Sequence, residues 1–230
     1  MLNLNGCSTG AASLRLAKDL AENNRGARVL VACVELTFRG PEEAYPHKLI
    51  SQAAFGDGAG AVIVGADAVH PVEHTRFEMV SASQTTIPAT DGVLNMQLTE
   101  AGLDGHIFTR ELIPLAARHI EQCLMDAFQP FGIMSDGTKW NDMFFVVHPG
   151  WNNRSHRRGS PAGSREAGRE PDCAERLREH AWCHVDLRAR RATDADGGGR
   201  EWGVMMGFGP GFTVETMVLH AVASNLHRKN

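Results

Sequence analysis

The chain has 230 residues, 43% of them hydrophobic and 22% charged, the balance of a globular protein with its own core. No run of about 18 apolar residues occurs, so no membrane-spanning helix is expected, and no secretory leader is expected either. A formal net charge of −4 argues against a surface devoted to nucleic acid, and the irregular positions of Cys7, Cys33, Cys123, Cys173 and Cys183 predict reduced thiols in a cytoplasmic protein.

Residues 8–24 predict a helix with an apolar stripe of Leu14, Leu16, Ala17, Leu20 and Ala21, stopped by Asn23-Asn24-Arg25-Gly26. The run Arg28 to Val34 predicts a buried strand, of parallel type because it is apolar throughout. A second buried strand is expected over Ala59 to Val64 and a third over Phe77 to Ser83. Thr109 to Phe128 predicts an amphipathic helix with Ile113, Ala116, Ala117, Ile120, Leu124 and Ala127 on one face. Asp142 to Val147 predicts another buried strand, ending at His148-Pro149-Gly150. Residues 151–200 differ from the rest: they hold 11 of the 19 arginines, no lysine, no Ile, Phe or Met, and eight acids, for a formal charge of +3 against −7 elsewhere. So few apolar anchors cannot offset the entropy of ordering 50 residues. Two last strands are expected over Glu201 to Met206 and Phe212 to Val222, flanking a turn at Gly207-Phe208-Gly209-Pro210-Gly211. Strands alternating with helices define an α/β layered fold.

Cys7, in Gly6-Cys7-Ser8-Thr9-Gly10, stands at the expected start of the first helix. There the macrodipole and free backbone N–H groups favour a thiolate, which suits a nucleophile. The residues alone favour a small buried hydrophobe, and that is also the reading for Cys33 and Cys123. His148 follows four apolar strand residues, at the end of a strand where ligands gather in α/β sheets. It is a general-base candidate, or a loop histidine bonded to backbone. Together the two could form a Cys–His pair. The turn at 207–211 lacks the lysine of a phosphate-binding loop and does not lead from strand to helix, so it reads as a tight turn shaping a pocket. Cys173, His180, Cys183 and His184 match no zinc-finger spacing.

Longer motifs then carry a resemblance. Gly6-Cys7, the run Leu14 to Asn24, Phe38-Arg39-Gly40-Pro41, Phe55-Gly56-Asp57-Gly58-Ala59, His148-Pro149-Gly150 and the run Trp202 to Thr216 occur in the order and near the spacing of the plant type III polyketide synthases, the chalcone and stilbene synthase family. The chain resembles that family over roughly 4–150 and 200–222. The resemblance implies a thiolase-like αβαβα fold, a homodimer, and decarboxylative condensation of malonyl-CoA onto a CoA-thioester starter, with no cofactor, metal, nucleic acid or membrane. It implies that Cys7 accepts the acyl group and that His148 is its partner. It further implies that Phe55 is a gatekeeper of the substrate cavity, and that Gly207, Phe208, Gly209, Pro210 and Gly211 shape that cavity. The expected organisation is the end of the family's N-terminal domain at 1–67, its C-terminal domain at 76–150 and 200–226, and an arginine-rich non-family segment, expected to be disordered, at 151–199.

Four departures qualify the resemblance. The chain starts just before the nucleophile, so an N-terminally truncated, incomplete fold is expected. Leu36-Thr37-Phe38 is a few residues shorter than the family's segment. Gly105 stands where a second gatekeeper phenylalanine is expected. The Gly-Asn-Met motif, whose asparagine completes the family's catalytic set, is absent. The chain as written is therefore expected to be inactive in condensation; the alternative is a non-catalytic fragment that pairs with an intact synthase. A frame offset over 151–199 would account for the last departure. Read from the second base of each codon, Trp151 followed by Asn152 must give glycine, as must Trp182 followed by Cys183.

Overall fold

The computed structural model describes residues 1–2, 6–35, 58–90, 92–100, 102–107, 109–133, 140–148 and 200–222. Helix α1 (Thr9–Glu22) is followed by strands β1 (Arg28–Glu35) and β2 (Gly58–Gly65). Strands β3 (Phe77–Thr86), β4 (Leu94–Thr99) and β5 (Gly102–Ile107) precede helix α2 (Thr109–Phe128). Strands β6 (Phe144–Val147), β7 (Trp202–Gly209) and β8 (Thr213–Ala221) complete the set. A four-stranded sheet runs in the order β3-β8-β7-β6, antiparallel except for the parallel β6–β7 pair. The pairs β1–β2 and β4–β5 form separate antiparallel sheets.

Two apolar clusters set the layering. On one face of the four-stranded sheet, Leu14, Ala17 and Ala21 of α1 pack with Phe144, Val146, Met205, Met217 and Leu219. The same cluster takes in Val29, Val31 and Val64 of β1 and β2, so α1 lies between two sheets. On the other face, Ile120, Cys123, Leu124 and Phe128 of α2 pack with Phe145, Val147, Val204, Met206, Val214 and Val218. The order of layers is β, α, β, α. A helix held between sheets needs small side chains, and Ala11, Ala12, Ala17 and Ala21 are all buried. Leu16 and Leu20, expected in the apolar stripe, instead face solvent at 44% exposure each, because the stripe narrows to the residues between the sheets. After α1 the side-chain amides of Asn23 and Asn24 donate to the carbonyls of Asp19 and Leu20, and Gly26 adopts φ +72°, so the stop signal acts as capping.

Three expectations are corrected. The first strand pairs antiparallel with β2, in register Arg28↔Gly65 to Glu35↔Gly58, rather than in parallel. It and β2 are also not buried strands: Val29, Val31 and Cys33 face α1 half-buried, while Leu30, Val34 and Ile63 are at least 65% exposed. An apolar run thus covers an inner face without the outer face being covered by any described residue. Third, Gly207, Phe208 and Gly209 belong to β7, and the turn is confined to Pro210–Phe212. The hairpin β4–β5 was not among the expected strands, although Leu94, Met96 and Leu98 alternate with polar residues along β4. Strand β6 matches expectation, with all four residues buried. Residues 151–199, Phe55 and the short segment at Leu36-Thr37-Phe38 lie outside the described residues.

Candidate active site

The turn bearing Cys7 is built by its neighbours. Gly6 takes φ +58°, a left-handed conformation that favours glycine, and Thr9 Oγ1 donates to its carbonyl at 2.6 Å. Gly6–Ser8 form a single 3-10 turn, and α1 starts at Thr9. Cys7 keeps an exposed surface. The protein crowded around it nevertheless disfavours the charged form and pushes the thiol pKa up, and the Glu35 carboxylate at the end of β1 adds to the effect. Burial and a nearby negative charge thus act against the lowering expected at a helix start.

His148 directly follows β6, and its N–H donates to the Met206 carbonyl at 2.8 Å. Val147 pairs with Met206, which places His148 beside Gly207 in the parallel register. Phe145 and Val147 pack toward α2, whereas Phe144 and Val146 pack toward α1. Continued alternation therefore assigns His148 to the α1 face. On that same face, a β-carbon at Gly207 would sit 2.7 Å from Ala11 Cβ, and one at Gly209 would sit 2.2 Å from Ser8 Oγ and 2.6 Å from Ser8 Cβ. The two glycines thus form a shallow cleft that seats the start of α1. Cys7, adjoining Ser8, and His148, adjoining Gly207, are brought to one end of the sheet on one face.

The other expected residues fall differently. Phe208 points to the α2 side and stacks on Phe212, with ring centroids 5.9 Å apart. Gly211 has φ +134°, and its N–H donates to the Leu94 carbonyl at 3.0 Å. Pro210 lies half-buried at the turn. Gly105 sits in β5 opposite Met96. Cys123 is buried in the α2 core and Cys33 is half-buried. Among the described residues no group of three or more His, Cys, Asp or Glu side chains could hold a metal ion, and the Cys173, His180, Cys183 and His184 set lies outside them.

Sequence reasoning missed the charged group on this face. Glu215 of β8 is 1% exposed and is paired with Arg15 of α1 and Gln84 of β3. The available signal was an acid in a strand whose centre is otherwise apolar or uncharged, Val214 to Leu219.

The family model described as chalcone and stilbene synthases, N-terminal domain, matches residues 1–68, and the corresponding C-terminal model matches 78–157 and 184–223. The chain belongs to the chalcone and stilbene synthase family, and its helix between sheets is part of that family's thiolase-like layering. It is similar to the bisdemethoxycurcumin synthase of Oryza sativa subsp. japonica, at 46% identity over 237 residues, covering 97% of this chain and 58% of the relative. The chain thus spans less than two thirds of that relative's length. No helix among the described residues is long and apolar enough to cross a membrane.

Proposed function

We propose that this chain carries the acyl-accepting centre of a type III polyketide synthase, an acyltransferase acting on CoA thioesters in the cytoplasm. The observation that carries the reading is the shared placement of Cys7 and His148 at one end of the sheet, through the His148–Gly207 register and the contact of Gly207 and Gly209 with the start of α1. The Cys7 sulfur attacks the thioester carbonyl of a starter, a new C–S bond forms, and the CoA thiolate leaves. Because burial and Glu35 hold the thiol up, little thiolate is present at neutral pH, and a base must take the proton. His148 is that base. In an intact synthase malonyl-CoA would then lose CO2, and the resulting carbanion would attack the acyl carbon and displace the cysteine sulfur; this chain is expected to stop at the acyl-enzyme. Phe55, Gly105 and the 207–211 segment bound the cavity in this reading, and two copies of the synthase pair as a homodimer.

The test is acylation of the purified chain by a cinnamoyl-type CoA thioester, read by peptide-resolved mass spectrometry. The expected result is an acyl adduct on the Cys7 peptide that Cys7→Ala abolishes. His148→Ala should slow the adduct at neutral pH, and the deficit should shrink as pH rises toward the thiol's own ionisation. Without the Gly-Asn-Met asparagine, malonyl-CoA should release no CO2 above background. No Cys7-dependent adduct, or a His148 deficit independent of pH, would refute the assignment.

A further inference from the structure

Among the described residues, Glu215 is the one charged side chain in the core. A buried carboxylate is costly unless paired and hydrogen-bonded. Arg15 Nε donates to Oε2 at 2.8 Å, a second Arg15 nitrogen donates to Oε1 at 3.3 Å, and Gln84 Nε2 donates to Oε1 at 2.7 Å. The carboxylate thus ties three elements together: α1, β8 and β3.

The location gives the tie a purpose. Ser8, Ala11 and Arg15 follow one another along one stripe of the helix and its preceding turn, at spacings of three and four residues. Ser8 rests on Gly207 and Gly209, and Ala11 on Gly207. Gly207 pairs with Glu215 in the β7–β8 register, and Arg15, one turn beyond Ala11, reaches Glu215. Small residues on a glycine cleft fix how closely the helix approaches, but a smooth contact resists sliding along the axis only weakly. A two-point guanidinium–carboxylate contact is directional and does resist it.

We propose that the Arg15–Glu215 pair, braced by Gln84, is a positioning device that sets the axial register of α1 and so fixes where Cys7 stands relative to the His148 end of β6. Its catalytic meaning rests on the reading of Cys7 as acyl acceptor; the placement itself does not. The charged and titratable groups around this end of α1 are Glu35 from β1, Glu215 from β8 with its partner Arg15, and His148 after β6.

The experiment is site-resolved alkylation of the full chain by iodoacetamide from neutral to alkaline pH. Cys7 reports position, and the buried Cys123 reports an intact core. The variants are Arg15→Met and the double Arg15→Met/Glu215→Met, which leaves no unpaired buried charge. In both, the Cys7 pH–rate midpoint should fall toward that of an ordinary thiol, with a several-fold faster reaction at neutral pH. Cys123 should stay protected in the double variant, and Arg15→Lys, which keeps the charge but not the two-point contact, should fall between. An unchanged Cys7 profile with Cys123 protected would overturn the proposal. So would alkylation of Cys123 in the double variant, because the pair would then be a general requirement of the fold. A Cys7 shift in a chain that forms no acyl adduct would leave the positioning device standing and remove the proposed function.

Discussion

His220, near the end of the central strand β8, shows how a single side chain can make one end of a sheet depend on pH. Its Nε2 faces Glu201 at 2.9 Å and its Nδ1 faces Glu78 at 3.2 Å, while its ring lies 4.8 Å from that of Trp202. Both contacts are hydrogen bonds only when both nitrogens carry protons. The imidazole pKa is raised, first by Glu201 and then by Glu78, against the opposing effect of burial. A raised folded value means the stabilisation is fully present below the unfolded value of about 6.5 and is lost as pH rises through the folded one. Glu73 has the opposite sign. The Arg28 guanidinium and the Val69 N–H hold it down to about 2, so its contribution is present above the ordinary carboxylate range and is lost as pH falls toward that value. Melting temperatures of the native chain, His220→Gln and Glu73→Gln should separate the two. The His220 deficit should be largest under mildly acidic conditions and fade at alkaline pH, whereas the Glu73 deficit should persist at alkaline pH and fade only in strong acid. A His220 deficit that does not vary with pH would show that ring packing on Trp202, not charge, holds this end of the sheet.

At the scale of elements, the β7–β8 turn is held from outside itself. Thr90 is 1% exposed, and its Oγ1 accepts from the Phe212 N–H at 2.6 Å while lying 2.8 Å from the Gly211 carbonyl and 2.6 Å from the Ile87 carbonyl. One hydroxyl proton serves those two acceptors in turn, and the Ile87 N–H adds a bond to the Phe212 carbonyl at 2.9 Å. Thr90→Val keeps the shape and strands a buried N–H, so it should cost about 1–3 kcal/mol in denaturant unfolding, whereas Thr90→Ser should be nearly neutral. Equal losses in the two variants would assign the effect to the methyl group. None of this tie is legible in the sequence, because its partners are more than 120 residues apart. The helices were legible in extent: α2 runs over Thr109–Phe128 as its periodicity predicts, and α1 departs at its ends and in the exposure of Leu16 and Leu20. Apart from β4 and β5, which were not expected, the strands were legible in position but not in pairing, since an apolar run such as Val29 to Val34 does not state whether both of its faces are covered. The glycines at 207 and 209 read as a turn because they lack strand propensity. They are strand residues because α1 must come close there, a tertiary demand that local pattern does not contain. For the same reason Cys7 and His148 could be singled out as candidates, while Arg15 and Glu215, which lie 200 residues apart, could not be paired.

For the whole molecule, the division between +3 over residues 151–200 and −7 elsewhere is best explained at the level of codons. The matched family blocks leave 158–183 between them. That gap contains Arg178-Glu179-His180-Ala181, which in the frame displaced by one base permits Gly-Asn-Met-His, followed by the forced glycine at Trp182–Cys183. The same frame permits Ala-Thr-Ser-Ile-Phe-Val-Leu-Asp-Glu over Cys183 to Arg191, an apolar strand where the literal frame has charges. Only two glycines are compelled, but one frame restores motif, spacing and hydrophobic pattern at once. Genomic and transcript reads across this region should therefore carry one nucleotide fewer near codon 151, with the original frame regained before Glu201. The repaired chain should supply the missing asparagine and remove most of the arginine excess. Reads that reproduce the literal frame, with third bases at 178–180 incompatible with Gly-Asn-Met, would defeat this account, and the arginine-rich segment would then have to be treated as selected protein.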